Sequence, residues 1–205
     1  MTPEEVAAAV EGGAVVLDLR PPRPFAAEHV PGALTMQFNR ADLADRAEMM
    51  LPVELELVVH AEPEPIATVA VQLLAEAGFT VLGALEGGLR AWKEAGYTTE
   101  TLPLLDVDEL KGHAESYTVI DAREPFEHRH ARIPGSVLLP PGDVWERVDE
   151  LDAGTRLAVV CGDQTRSAYV ASVLRRKGKD AALVMGGMAD WLERGYPVEK
   201  RASLD

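Results

Sequence analysis

The chain has 205 residues, 47% of them hydrophobic and 26% charged, enough for one large domain or two of about 100 residues, each with its own core. Its 34 acidic and 20 basic residues leave a net charge of −14, which makes it a poor partner for nucleic acid or an anionic membrane. A single cysteine excludes an intramolecular disulfide and a cysteine-rich metal centre, and no apolar run approaches the length of a membrane helix. The opening MTPEEVAAAVEGG is acidic and helical rather than a basic, apolar leader, so a cytoplasmic protein with a reduced thiol is expected.

In chain order, Thr2, Pro3 and Glu5 predict a helix start with Thr2 as N-cap, proline at the first helical position and Glu5 closing a capping box. Gly12 and Gly13 stop that helix. Ala14 to Leu19 then reads as a strand that brings Asp18 and Arg20 to its end. The proline-rich stretch Pro21 to Ala33 reads as a loop with a turn of helix. Glu54 to Ala61 predicts a strand, Ile66 to Ala77 a helix closed by Gly78, and Phe79 to Leu85 another strand. Gly87, Gly88 and Trp92 fall on a last short helix.

The second half repeats the first. Asp18, Arg20, Val30, Pro31 and Gly32 match Asp121, Arg123, Ile133, Pro134 and Gly135 at a constant offset of 103. Gly87, Gly88, Trp92, Gly96 and Tyr97 match Gly186, Gly187, Trp191, Gly195 and Tyr196 at an offset of 99. Two steady offsets define a tandem repeat. The expected domains are residues 1–100 and 101–205, with a boundary near Thr98 to Pro103. A helix start follows at Asp106, where Glu109 is placed for a second capping box. Strands alternating with helices predict an α/β fold in each copy, a mainly parallel sheet covered by helices on both faces.

The sharpest chemistry lies in LAVVCGDQTRSAYVASVLRRKG, residues 157–178. Leu157 to Val160 reads as a buried strand, Ser167 to Lys177 as a helix, and Cys161 to Arg166 as a tight loop between them. A helix start aims unpaired N–H groups and the positive end of its dipole at such a loop. Cys161 beside these donors and Arg166 is a nucleophile candidate. The other reading is an inert core residue, the usual fate of free cysteine.

CGDQTRS between a strand and a helix resembles the active-site loop of the rhodanese family of sulfurtransferases, which matches Cys161, Arg166 and Ser167 in type and spacing. DAREPFEHRHARIPGS (residues 121–136) resembles the family's upstream motif, and MGGMADWLERGYP (residues 185–197) its Gly-Gly and Trp ending. The resemblance implies two rhodanese-like domains and a sulfurtransferase reaction. In it, Cys161 takes the outer sulfur of a donor such as thiosulfate as a persulfide and passes it to cyanide or a thiol. Cys161 and Arg166 become the catalytic residues, with Gly162, Asp163, Gln164, Thr165, Ser167 and Arg123 as substrate-binding residues. No cofactor or metal is implied; the partners are a small-molecule or protein sulfur donor and a thiol acceptor. Four residues between cysteine and arginine suit a single sulfur, whereas related phosphatases have five.

Several residues qualify this expectation. Gln164 stands where many relatives have glycine, and Glu127 where some two-domain enzymes carry a substrate-contacting arginine. Asp163 repels a dianionic donor unless Arg166 or Arg123 offsets it. Arg166 is expected to face the donor's charge or to tie down the loop, Asp121 and Arg123 to form an ion pair or loop clamp as well as a candidate substrate contact. His128 and His130 lack ligand spacing for a metal. In the first copy His60 replaces the cysteine, Pro65 the arginine, and Glu62 and Glu64 oppose an anion, so that copy is expected to be a scaffold without catalysis. The alternative for the whole chain is a non-catalytic protein-interaction module.

Overall fold

The computed structural model describes residues 1–152 and 154–200, so the last five residues of the second expected domain lie outside the described range. The chain divides into two compact units, Met1–Thr101 and the residues from Leu102 onward. Among the described residues no helix is long and apolar enough to cross a membrane.

The first unit opens with α1 (Pro3–Glu11), held by the full capping box: Glu5 N donates to Thr2 Oγ1 at 3.3 Å and Thr2 N to Glu5 Oε2 at 2.9 Å. Then come β1 (Val15–Asp18), α2 (Pro22–Ala27), β2 (Leu34–Thr35), α3 (Leu43–Met50), β3 (Glu56–His60), α4 (Pro65–Glu76), β4 (Thr80–Ala84) and α5 (Gly88–Glu94). Helix α2 forms despite its prolines because Pro22 and Pro24 lie in its first turn, where N–H groups have no helical partner to lose. The four strands pair in the order β2-β1-β3-β4, all parallel. Every residue of β1 is buried, and so are the last four of β3.

The second unit comprises β5 (Leu104–Leu105), α6 (Val107–Gly112), β6 (Thr118–Asp121), α7 (Pro125–His130), β7 (Val137–Leu138), α8 (Val144–Arg147), β8 (Leu157–Val160), α9 (Thr165–Arg176), β9 (Ala181–Val184) and α10 (Gly187–Glu193). Its five parallel strands run β5-β9-β8-β6-β7. Leu105, Leu110, Val119, Ala158, Val160, Val184 and Trp191 share one buried cluster, in which each large apolar side chain contributes about 1.5–3 kcal/mol. Helix α9 begins at Thr165, two residues before the expected Ser167. At α6 only one half of the expected capping box is seen: Asp106 Oδ1 accepts from Glu109 N at 2.7 Å.

The sheet order fixes where chemistry can sit. Strands β6 and β8 are central neighbours, with Asp121 in register with Val160, so Asp121 and Cys161 leave the same carboxyl-terminal edge. That edge is where an open α/β sheet offers a crevice.

Candidate active site

Arg123 Nε donates to Asp121 Oδ1 at 2.9 Å, and its Nη2 to Asp121 Oδ2 and Ala131 O, both at 2.7 Å. Both side chains are buried. His128 Nδ1 lies 2.9 Å from Asp121 Oδ2, a contact the sequence reading missed. The first unit repeats the arrangement without a thiol nearby: Arg20 Nη2 donates to Asp18 Oδ2 at 2.6 Å and to Glu28 O at 2.7 Å. Arg123 thus forms the expected clamp, with Nε and Nη2 engaged by Asp121 and by the chain at Ala131.

The loop brings Gly162, Asp163, Gln164, Thr165, Arg166 and Ser167 together around Cys161. Ser167 Oγ lies 3.1 Å from Cys161 Sγ and 3.3 Å from Gln164 O, and its single hydrogen can serve either. A thiolate, the stronger acceptor, draws it to sulfur. Asp163 Oδ1 accepts from Thr165 N at 3.2 Å and stands 3.9 Å from Cys161 Sγ. Among the described residues, the amides of Gly162, Asp163, Gln164, Arg166 and Ser167 make no hydrogen bond. Gln164 takes the left-handed conformation, φ 76°, that the glycine of many relatives would adopt without cost.

Of the two roles expected for Arg166, the structure shows the loop tie. Nη1 donates to Glu127 Oε2 at 2.6 Å and Nη2 to Glu127 Oε1 at 3.0 Å, and Glu124 N adds a third donor to Glu127 Oε2 at 3.0 Å. The Arg166 guanidinium holds the Glu127 carboxyl below the usual carboxylate range, and Glu127 raises Arg166 in return. The sequence contained a signal for this pair: the first copy has lost both members together, with Pro24 in place of Glu127 and Pro65 in place of Arg166.

Cys161 does not stand at an open mouth. It has no exposed surface, and the turn before α10 packs on its backbone. Met188 N donates to Cys161 O at 2.8 Å, and a Cβ on Gly187, φ 53°, would lie 2.3 Å from that oxygen. The turn thus requires glycine for this close approach.

In the first unit His60 is equally enclosed, and neither ring nitrogen has a hydrogen-bond partner among the described residues. Glu62 Oε1 stands 3.7 Å from Nε2, beyond a hydrogen bond. Burial pushes the imidazole down, which keeps it neutral at neutral pH.

A parallel sheet in each unit, and a cysteine loop between strand and helix in the second, define the class of fold and site. The chain belongs to the rhodanese-like domain family, whose model matches residues 2–95 and 106–194. It is 31% identical over 102 residues to the thiosulfate sulfurtransferase GlpE of Pseudomonas entomophila, covering 49% of this chain and 89% of that one. It is 36% identical over 78 residues to a Bacillus subtilis protein named as a sulfur carrier, YrkF, covering 38% of this chain and 42% of that one. A Mycobacterium tuberculosis protein named as a thiosulfate sulfurtransferase, SseB, is 27% identical over 164 residues, covering 58% of this chain and 57% of SseB. The chain thus spans about half the length of the latter two. Among solved structures, a rhodanese-related protein from Thermoplasma volcanium aligns at 33% identity and a TM-score of 0.46, over 47% of this chain and 97% of that one.

Proposed function

We propose that the second half, residues 101–205, is a sulfurtransferase domain working through a Cys161 persulfide, and that the first, residues 1–100, is a domain without catalysis. The Cys161 thiolate attacks the outer sulfur of a sulfane donor, thiosulfate being the one in relatives' names. The donor's S–S bond breaks and its remaining part leaves with the electron pair. Cyanide or a thiol then takes the outer sulfur and restores the thiolate. Ser167 Oγ and the amides of Gly162, Asp163, Gln164, Arg166 and Ser167 are the donors for the anionic sulfur. Thr165 positions Asp163, and Arg166 holds the loop through Glu127. A thiol that must stay reduced to act fits the cytoplasm.

The observation that carries this reading is the company of the one cysteine: five amides without partners among the described residues and a hydroxyl 3.1 Å from sulfur. An inert core cysteine has no use for them. The complete enclosure of Cys161 favours a second reading, a protein-interaction module that turns over no sulfur. Incubation of the full chain with thiosulfate or a small organic persulfide, followed by intact-mass measurement, separates the two. Sulfur transfer predicts a gain of one sulfur atom that reductant reverses and Cys161→Ser abolishes. No gain with any donor would leave the interaction module.

A further inference from the structure

Resting on that reading, we infer that the Cys161 site takes its sulfur from a donor of little negative charge, an organic persulfide, in preference to a sulfur dianion such as thiosulfate. Asp163 and Glu127 are the residues that set this specificity. The sequence left open whether Arg123 or Arg166 offsets Asp163, and the geometry answers for each. Arg123 is spent on Asp121 and Ala131 O, and His128 also faces Asp121. Arg166 is spent on both oxygens of Glu127. Each ion pair sums to no net charge, whereas Asp163 has no cationic partner among the described residues: its Oδ1 accepts from the Thr165 amide and, at 3.9 Å, from the Cys161 thiol while that is protonated.

The unpartnered amides and Ser167 supply donors for one anionic sulfur, the thiolate or the persulfide. Arg123 and Arg166, each paired with a carboxylate, bring no net positive charge for the two further charges of thiosulfate. A dianion about 6 Å from an uncompensated carboxylate is disfavoured roughly tenfold even at water's dielectric constant. An organic persulfide, R–S–SH, ionises more readily than a thiol but carries one charge at most, so it meets no more than half that repulsion. The thiolate attacks its outer sulfur, the S–S bond breaks, and R–S⁻ leaves while the proton remains on the new Cys161 persulfide or passes to water.

The test uses the full chain with two donors, thiosulfate and 2-hydroxyethyl persulfide. The rate of sulfur gain at Cys161 is divided for each donor by its rate with a free low-molecular-weight thiol. The corrected rate should favour the persulfide. Raising KCl from about 0.02 to 0.2 M screens repulsion, so the thiosulfate rate should rise several-fold and the persulfide's by less. Asp163→Asn should raise the thiosulfate-to-persulfide ratio roughly threefold or more at low salt, and Glu127→Gln, which frees Arg166, should raise it too. A thiosulfate rate that falls with salt, or a ratio that neither variant moves, overturns the charge preference and leaves sulfur transfer standing. If neither donor adds sulfur, the sulfur-transfer reading fails and the preference falls with it.

Discussion

The two strand ends, His60 in the first unit and Cys161 in the second, sit in the same frame with different contents. His60 ends a central strand and Cys161 follows one, and each precedes a twelve-residue helix, α4 or α9. Both lie beside a buried Asp–Arg clamp that reaches a backbone carbonyl, at Glu28 in one copy and Ala131 in the other. Each unit also ends alike: Trp92 Nε1 donates to Thr98 O at 2.8 Å and Trp191 Nε1 to Pro197 O at 2.9 Å. What differs at the loop includes the thiol, the hydroxyl beside it, the Arg166–Glu127 pair and the turn at Gln164. The frame therefore persists for folding, and the chemistry resides in a few side chains set into it.

The largest effect expected from breaking this comparison is at the clamp. Removing one partner of a buried ion pair costs about 3–5 kcal/mol, so Arg20→Met and Arg123→Met should both lower the urea midpoint markedly. Arg20→Met should be the worse, because Asp121 keeps His128 as a partner and Asp18 has Phe25 at the matching position. An Arg123→Met protein that kept its midpoint and lost only sulfur uptake would return Arg123 to the substrate site.

A smaller effect, of opposite sign, is expected at His60. Two enclosed ring nitrogens without partners carry a desolvation penalty, and replacing them with an apolar group of similar volume should stabilise the first unit by about 1–2 kcal/mol. His60→Leu should therefore raise the melting temperature. The gain should also grow on acidification. Burial lowers His60 in the fold, so as pH falls below about 6.5 the unfolded chain binds a proton that the folded chain refuses. Wild type loses stability there and His60→Leu does not. Melting curves at neutral and mildly acidic pH that shift in parallel would mean that the imidazole has a partner after all.

Much of this architecture was legible because the central strands are short apolar runs, VVLD, LVVH, TVID and LAVV, each leading into a distinctive end residue. Two-residue strands were not. Leu34–Thr35, Leu104–Leu105 and Val137–Leu138 are strands only because a neighbour pairs with them. Helix α3 carries its period in Leu43, Ala47 and Met50, too brief a run to stand out. At the site, Cys161, Arg166 and Ser167 were legible from spacing within one loop. The partner of Arg166 was not, since Glu127 lies 39 residues away on another helix. Nor was the enclosure of Cys161, since a strand-end cysteine reads alike whether its sulfur faces the loop or the core.

The smallest expected effect is at Gln164, where the two loops part company in backbone as well as side chains. Its counterpart in the first loop is Pro63, whose ring fixes φ near −65°, so the left-handed turn at Gln164 belongs to the cysteine loop alone. A non-glycine residue in that conformation costs about 1–2 kcal/mol. Glycine would relieve the strain and give back about 0.5–1 kcal/mol through the freedom it adds to the unfolded chain. Gln164→Gly should thus leave the melting temperature nearly unchanged and preserve sulfur uptake. Gln164→Ala keeps the strain, so the two variants should differ little from wild type and from each other in stability, by about 1 kcal/mol at most. A Gln164→Gly protein that loses sulfur uptake while its stability holds would show that the glutamine side chain, rather than the turn it makes, is what the thiol needs.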